Sequence, residues 1–513
     1  MLDPDPAGRI PDAARPRPRW HQSGHIHDNQ VMPAPDHAAR LDEIARGAML
    51  KYGLQPDWPR EALAELARLR SNGKTGARDL RSLLWSSIDN DESRDLDQLE
   101  VCMPGSPPRL LVAIADVDDF VHRGSALDSH ARINTTSVYT PARVFPMLPP
   151  ELSTDRTSLN ESEDRAALVI DMTVGEDGVP TKPDVYLAQV RNRARLTYNG
   201  VARWLAGEPD ALPAVGQDPD LAAQIQLQDR IASWLRARRV EEGALDFDRR
   251  EVKPIVSDGV VTELRTEEPN RARDLIENFM VAANGATARF LSTRGYPAIR
   301  RIVRSPERWP RIVDLARERG TELPPEPDAR ALESFLKNQR AERPDDFADL
   351  SLSVIKLLGR GEYVAETPTG PSLGHFALAV TNYTHSTAPN RRFTDLVTQR
   401  LIKAALAQAA APYSLPELSG LAEHCTKQED AANKVERLVR KAAAALWISN
   451  RIGQVFDAVV TGASPKGTWV RLREPMVEGR VERGQEGLDV GDRVRVRLLS
   501  TDPDQGFIDF ARA

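Results

Sequence analysis

Between residues 88 and 100 the chain reads IDNDESRDLDQLE, which brings Asp89, Asp91, Asp95, Asp97 and Glu100 into one short stretch. Carboxylates crowded in this way repel one another, and the stretch costs stability unless a cation or arginines compensate. A calcium loop of the EF-hand type takes ligands from positions 1, 3, 5, 7, 9 and 12 and needs glycine at position 6. Counted from Asp89, those ligand positions hold Asp89, Asp91, Ser93, Asp95, Asp97 and Glu100, but the sixth is Arg94, and the following residues read as a strand. A catalytic magnesium site asks for less: a few carboxylates converging on a hard cation, with room for water and a substrate phosphate. In an extended segment Asp95 and Asp97 share a face, and Asp89 joins them only if the chain turns between. Asp116, at the end of the next apolar run, is a further candidate. Spacing alone leaves a metal site and an acidic surface turn both open.

Such residues need elements to hold them. The runs LLVAIADVDDFV (110–121) and RAALVIDMTV (165–174) read as buried strands, whereas TTSVYTPARVFPMLPPELS between them is too rich in proline for a regular element. Helical spacing covers 220–242, 269–293, 306–319, 328–341, 345–358, 389–411 and 415–452, and two small helices precede the acidic stretch within 36–70. The last sixty residues alternate strand-like runs with Gly, Asp and Pro turns, the pattern of a small antiparallel barrel. Residues 1–35 hold seven prolines and few aliphatic residues, which predicts a disordered leader, and its histidines His21, His25 and His27 have no scaffold to hold a metal. The expected organisation is a leader (1–35), a small helical segment (36–78), a catalytic domain (79–450) and a C-terminal barrel (451–513).

Composition narrows the function classes. At 513 residues, with 41% hydrophobic and 28% charged, the chain has the make-up of a soluble globular protein of roughly two to four domains. It shows no stretch apolar enough to span a bilayer and no signal-peptide core, so a cytoplasmic protein is expected. Two cysteines, Cys102 and Cys425, exclude a disulfide framework and a cysteine zinc site. A net charge of −6 argues by itself against a nucleic-acid partner, yet arginines cluster at 191/193/195, 300/301/304 and 391/392. NGKTG (72–76) echoes a phosphate loop, but Arg68 stands where glycine is required, and it reads as a turn.

Several ordered segments resemble the RNB family of exoribonucleases, of the ribonuclease II and ribonuclease R type. DNDESRDLDQ is similar to the family pattern of Asp, five residues, then Asp-x-Asp-Asp. VAIADVDDFVHRGSALDSHARINTTSVYTPARVFPMLPPELSTDRTSLN, RARLTYNGVARWL, RDLIENFMVAAN and HFALAVTNYTHSTAPNRRFTDLVTQRLIKA resemble later family segments in the same order, over roughly residues 80–445. The resemblance implies an α/β (α+β) RNB catalytic fold with a C-terminal OB-fold (S1-like) barrel and a small helical N-terminal segment in place of paired cold-shock barrels. It implies a magnesium-dependent 3′-to-5′ exoribonuclease acting on single-stranded RNA, with no membrane or protein partner and a monomeric state. Asp89, Asp95, Asp97 and Gln98 fall at the metal-ligand positions, and Arg391 at a catalytic one. Tyr139 matches the tyrosine that stacks on the 3′-terminal base and Tyr198 one further along the RNA path, while Glu277, Arg392 and Glu436 fall at other RNA-binding positions. Gln98 departs from the pattern, because the family has a fourth aspartate there. An amide oxygen can still coordinate magnesium, but the exchange removes a charge and a base. Either Asp91 or Asp116 compensates, or the chain is a catalytically weak or inactive RNA-binding protein.

Overall fold

The run at 110–115 lacks polar alternation because both its faces are covered. In the computed structural model, which describes residues 36–69, 77–248, 252–370 and 373–513, it is the central strand of a seven-stranded sheet. Strands β1 (Arg78–Asp79), β2 (Ser86–Asp89), β3 (Gln98–Met103), β4 (Arg109–Ala115), β7 (Asp164–Val174), β8 (Pro180–Arg191) and β9 (Ala194–Thr197) lie in the order β1-β8-β7-β4-β3-β2-β9. The proline-rich segment after β4 contains more order than expected: a two-residue hairpin, β5 (Val138–Tyr139) with β6 (Val144–Phe145), and a six-residue π-helical turn at Glu151–Arg156. The expected leader at 1–35, its histidines and the NGKTG turn lie outside the described residues.

Strands β2 and β3 share a single residue pair, Ser86 with Glu100, and then separate. Beyond that point β2 runs parallel to β9, with Asp89 opposite Thr197, while β3 continues antiparallel to β4. On the other side of that pair, where β3 runs past the start of β2, its main-chain groups are taken by glutamine side chains. Gln224 bonds both the N–H and the C=O of Cys102, and Gln228 donates to the Glu100 carbonyl at 3.5 Å and to Ser86 Oγ at 3.3 Å. Buried main-chain polar groups need such partners.

The helices are α1 (His37–Lys51), α2 (Arg60–Leu66), α3 (Ala126–Asn134), α4 (Tyr198–Leu205), α5 (Pro213–Gly216), α6 (Pro219–Glu241), α7 (Arg271–Thr293), α8 (Trp309–Arg317), α9 (Ala329–Glu342), α10 (Pro344–Leu358), α11 (Phe393–Leu406) and α12 (Leu415–Ile448). Their ends follow local chemistry. Asp218 caps α6, Asn270 caps α7, and Ser414 with Glu417 forms a reciprocal capping box on α12. Residues of α6, α7 and α11 share one hydrophobic core with the sheet, while Trp309, Phe335, Leu336 and Phe347 of α8 to α10 form a smaller one. Leu41, Ala45 and Met49 of α1 bury against Val435, Val439 and Ala442 of α12, so α1 is laid onto the last long helix. Among the described residues no helix is long and apolar enough to cross a membrane.

Two further ribbons pair β10 (Val252–Ser257) with β11 (Val260–Thr266) and β12 (Ala298–Ile302) with β13 (Glu362–Glu366). The C-terminal strands β14 (Val455–Ser464), β15 (Gly467–Leu472), β16 (Glu478–Arg483), β17 (Arg493–Asp502) and β18 (Phe507–Arg512) close into a barrel in the order β14-β15-β16-β18-β17. The turn from β17 to β18 rests on α12: Gly506 has φ +64°, and a β-carbon there would lie 2.8 Å from that of Lys441. Gly506→Ala is therefore expected to lower stability by about 1–2 kcal/mol through strain and displacement of this turn. Thermal denaturation reads it, and an unchanged melting temperature would show that the contact is slack.

Candidate active site

The separation of β2 from β3 opens the space in which the acidic stretch sits. Asp89 closes β2, Asp97 immediately precedes β3, and Asp95 lies in the connection between them. The connection is held at its far end by main-chain bonds that extend the sheet. Asp97 C=O accepts from the Ala115 N–H at 2.9 Å, Leu96 C=O accepts from Leu159, and the Leu96 N–H donates to Ser158 Oγ at 3.0 Å.

The Asp97 side chain is 1% exposed and faces the loop before α11. Its Oδ1 accepts from the Asn390 main-chain N–H at 2.9 Å and its Oδ2 from Arg391 Nε at 3.1 Å. Asn390 is itself fixed by Thr157, whose hydroxyl donates to Asn390 Oδ1 at 2.6 Å, and its amide nitrogen is buried with no hydrogen-bond partner among the described residues. The same loop is tied to the strand that carries Tyr139: the Ser137 N–H and the Thr136 hydroxyl donate to Arg391 C=O at 3.0 and 3.1 Å. Tyr139 donates its phenol to Asp95 Oδ2 at 3.2 Å, and its main-chain N–H to Glu436 Oε1 on α12 at 2.9 Å, yet the residue stays 42% exposed.

Electrostatics bind these groups into one system. Burial pushes the Asp97 carboxyl up to about 7, against the pull of Arg391 and with help from Asp95. Asp95 is likewise raised, by burial first and also by Asp89. Burial works against the charge of Arg391, but Asp97, Tyr139, Asp95 and Asp89 outweigh it and hold the guanidinium firmly protonated. The Tyr198 phenol, at the start of α4, is raised by burial and by the charges of Asp89 and Glu100, and Arg273 stands 5.5 Å from its ring centre. A cleft of about 840 Å³ leads to these residues, lined among others by Trp58, Asn90, Asp95, Tyr139, Lys253, Arg273 and Arg440.

The structure thus brings Asp89, Asp95, Asp97, Tyr139, Tyr198, Arg391 and Glu436 together. It does not do so for Glu277, which is 60% exposed at its side chain and pairs with Arg239 at 3.2 Å, in a separate recess between α6 and α7. Arg392 is turned inward: its Nε and Nη2 grip the fully buried Asp395 at 3.0 and 2.8 Å. Among the described residues no three His, Cys, Asp or Glu side chains stand close enough to hold a metal ion. The expected ligands Asp89, Asp95, Asp97 and Gln98 are therefore neighbours without being closed around a point, because the Asp97 carboxylate is turned to Asn390 and Arg391. Their chemistry still fits a hard divalent cation: all offer oxygen, the carboxylates repel one another, and each oxygen keeps a further lone pair. Of the two proposed substitutes for a fourth aspartate, Asp116 is paired with Lys403, and Asp91 accepts from Asn199 Nδ2 at 3.0 Å. Trp58 and Lys253 carry no motif, and Asn390 and Arg273 lie within quoted segments without having been singled out. Only their convergence from four distant segments marks them.

Residues 77–408 match the RNB domain model, and residues 454–513 the RNase II-type exonuclease C-terminal S1 domain. The chain is 32% identical over 497 residues to ribonuclease R of Escherichia coli (strain K12), covering 88% of this chain and 60% of that one. It is 29% identical over 504 residues to ribonuclease R of Aquifex aeolicus (strain VF5), covering 92% and 70%. It spans only about 60% of the length of the Escherichia coli relative. In three dimensions it is similar to Mycoplasma genitalium RNase R in complex with ribose methylated single-stranded RNA, with a TM-score of 0.82 at 22% identity over 93% of this chain and 78% of that one. At that identity the likeness shows the fold.

The raised Asp97 carboxyl makes the site a cost to the fold. Its folded value of about 7 lies above the ordinary 3.8, so its contribution to stability is fully present below about pH 4 and is lost as pH rises through 7. Asp97→Asn keeps the acceptor for Asn390 and removes the buried charge. In cation-free protein it is expected to gain roughly 1–3 kcal/mol over the parent at pH 8 and little at pH 4. Melting curves at the two pH values measure this, and a pH-independent difference refutes it.

Proposed function

The chain belongs to the RNB family, and from that premise we propose that it is a magnesium-dependent exoribonuclease that hydrolyses single-stranded RNA from the 3′-end to 5′-mononucleotides. The observation that carries this reading is the buried Asp97, held between Asn390 and Arg391 and coupled to Asp95, which lines a cleft together with Tyr139. With its phenol on Asp95 and its main chain on Glu436, the Tyr139 ring is fixed in orientation and available to stack on the 3′-terminal base. Stacking contributes about 1–3 kcal/mol per base and accepts any base, as a degradative enzyme requires. Tyr198, backed by Arg273, offers a second ring surface near the same carboxylates.

In the proposed reaction a water attacks the last phosphodiester in line. The bond from phosphorus to the 3′-oxygen of the preceding nucleotide breaks, and the freed mononucleotide keeps the phosphate on its 5′-oxygen. Arg391 spends its Nε on Asp97, and its remaining donors face the scissile phosphate, whose charge grows in the transition state. Asn390 and Arg391 fix the Asp97 carboxylate in place. The chemistry that magnesium supplies when bound by Asp89, Asp95 and Asp97 is polarisation of the phosphate and acidification of the attacking water. The two buried free cysteines, Cys102 and Cys425, suit a reducing cytoplasm, and we infer a monomer acting there.

The lost charge at Gln98 favours one other reading, a protein that binds RNA in this cleft without cutting it. End-labelled single-stranded RNA incubated with magnesium, and separately with chelator, separates the two. The enzyme gives a magnesium-dependent ladder that shortens from the 3′-end; the binder gives a stable shifted complex and intact RNA. Asp97→Asn is expected to reduce cleavage by roughly 10²–10³-fold, the scale on which preorganised charge acts. Equal cleavage by this variant would remove Asp97 from the chemistry. Tyr139→Ala is expected to weaken binding of the RNA 3′-end by roughly tenfold or more, read by fluorescence anisotropy.

A further inference from the structure

Glu100 is left over from the acidic stretch. It sits within β3, main-chain paired with Ser86 and Val112, and is 0% exposed. Neither of its carboxylate oxygens has a hydrogen-bond partner among the described residues. Gln228, which packs beside it, donates to its main-chain carbonyl and to Ser86 Oγ and not to the side chain. Burial favours the neutral carboxyl, whose O–H has one candidate acceptor beside it, the Gln228 Oε1 that is likewise unpartnered among the described residues. Leaving such a group unsatisfied costs stability, whereas an apolar residue suits a strand whose neighbours Leu99 and Val101 are buried. Fold stability therefore gives no reason for an ionised glutamate here.

Its position supplies one. Side chains two apart on a strand share a face, so Glu100 lies on the same side of β3 as Gln98, where the family pattern has its fourth aspartate. The charge of Asp89 acts on Glu100, and the charge of Glu100 in turn acts on the Tyr198 phenol. The unpaired carboxylate is thus electrically part of the candidate site. Asp91 and Asp116, by contrast, are engaged with Asn199 and Lys403. We propose that Glu100 replaces the carboxylate missing at Gln98 and joins Asp89 as an acidic ligand of the divalent cation. The charge is conserved and its place on the strand has moved by two residues, with the extra methylene of glutamate lengthening its reach. This proposal rests on the metal-dependent reading above.

Binding of Mn²⁺ to the full chain without RNA, followed by the electron paramagnetic resonance signal of the free ion, tests it apart from activity. The parent protein is expected to bind Mn²⁺, and Glu100→Gln to bind it at least tenfold more weakly while melting no lower than the parent in chelator. Glu100→Leu, which suits the buried strand, gives the same comparison should the amide be poorly tolerated. The double variant Gln98→Asp, Glu100→Leu moves the charge back to the family position and is expected to recover both Mn²⁺ binding and RNA cleavage. Folded Glu100 variants that bind Mn²⁺ as tightly as the parent would overturn the proposal and leave the nuclease reading standing. A parent protein that binds no Mn²⁺ would overturn both.

Discussion

The contact between Asp97 and the Asn390–Arg391 segment is the constraint around which the candidate site is arranged. It joins the start of a central sheet strand to a loop almost three hundred residues later in the chain. A carboxylate taken fully out of water must be given donors, and here one main-chain N–H and one guanidinium are all that the described protein provides. They are not sufficient, as the raised carboxyl shows. The surrounding structure therefore has to force the arrangement. Thr157 holds Asn390, Thr136 and Ser137 hold Arg391, and Asp395 anchors the loop through Arg392 and the Ala388 N–H. Residual electrostatic cost at a well-held group is what is expected of a site poised to receive a cation and a phosphate.

The divergence of β2 from β3 solves a geometric problem. A chain that stayed paired would place successive carboxylates alternately on the two faces of one ladder, and no cleft could reach between them. Parting after one residue pair lets the intervening loop carry Asp95 toward Tyr139 while Asp89 stays on the β9 side. Toward its other end the same edge of β3 runs past the start of β2, and Gln224 and Gln228 of α6 bond the main chain of Cys102 and Glu100 there.

Much of this was legible in the sequence, for identifiable reasons. The central strands β4 and β7 announce themselves because double burial demands unbroken apolar runs, and helices from α6 to α12 follow their spacing to within a few residues. The aspartates could be singled out because acidic residues crowd one short stretch. The β5–β6 hairpin was not legible: its order comes from Glu436 and Arg391, which are remote in sequence, and not from local propensity. Glu277 misled because a glutamate on an amphipathic helix looks the same whether it faces a site or, as here, an arginine on the next helix. Asp395 pairs with Arg392 and not with Arg391. Two arginines one residue apart point to different sides, and only the placement of Asp97 decides which of them serves the cleft.

The net charge of −6 and the proposed RNA substrate are reconciled by where the cations stand. Arg143, Lys253 and Arg273 line the cleft, and each is already paired, with Asp42 at 3.3 Å, Glu92 at 2.8 Å and Glu267 at 2.7 Å. A strand entering this cleft exchanges one anionic partner for another; it does not fall onto bare positive charge. The exchange lowers the net gain per phosphate, and a small gain per phosphate suits a substrate that must advance by one nucleotide after every cleavage. Bare cations would bind RNA more tightly, but each would then have to be released at every step. Stacking on Tyr139 at the inner end, which is indifferent to base identity, can hold the terminus in register while the paired cations along the wall let the rest of the strand move.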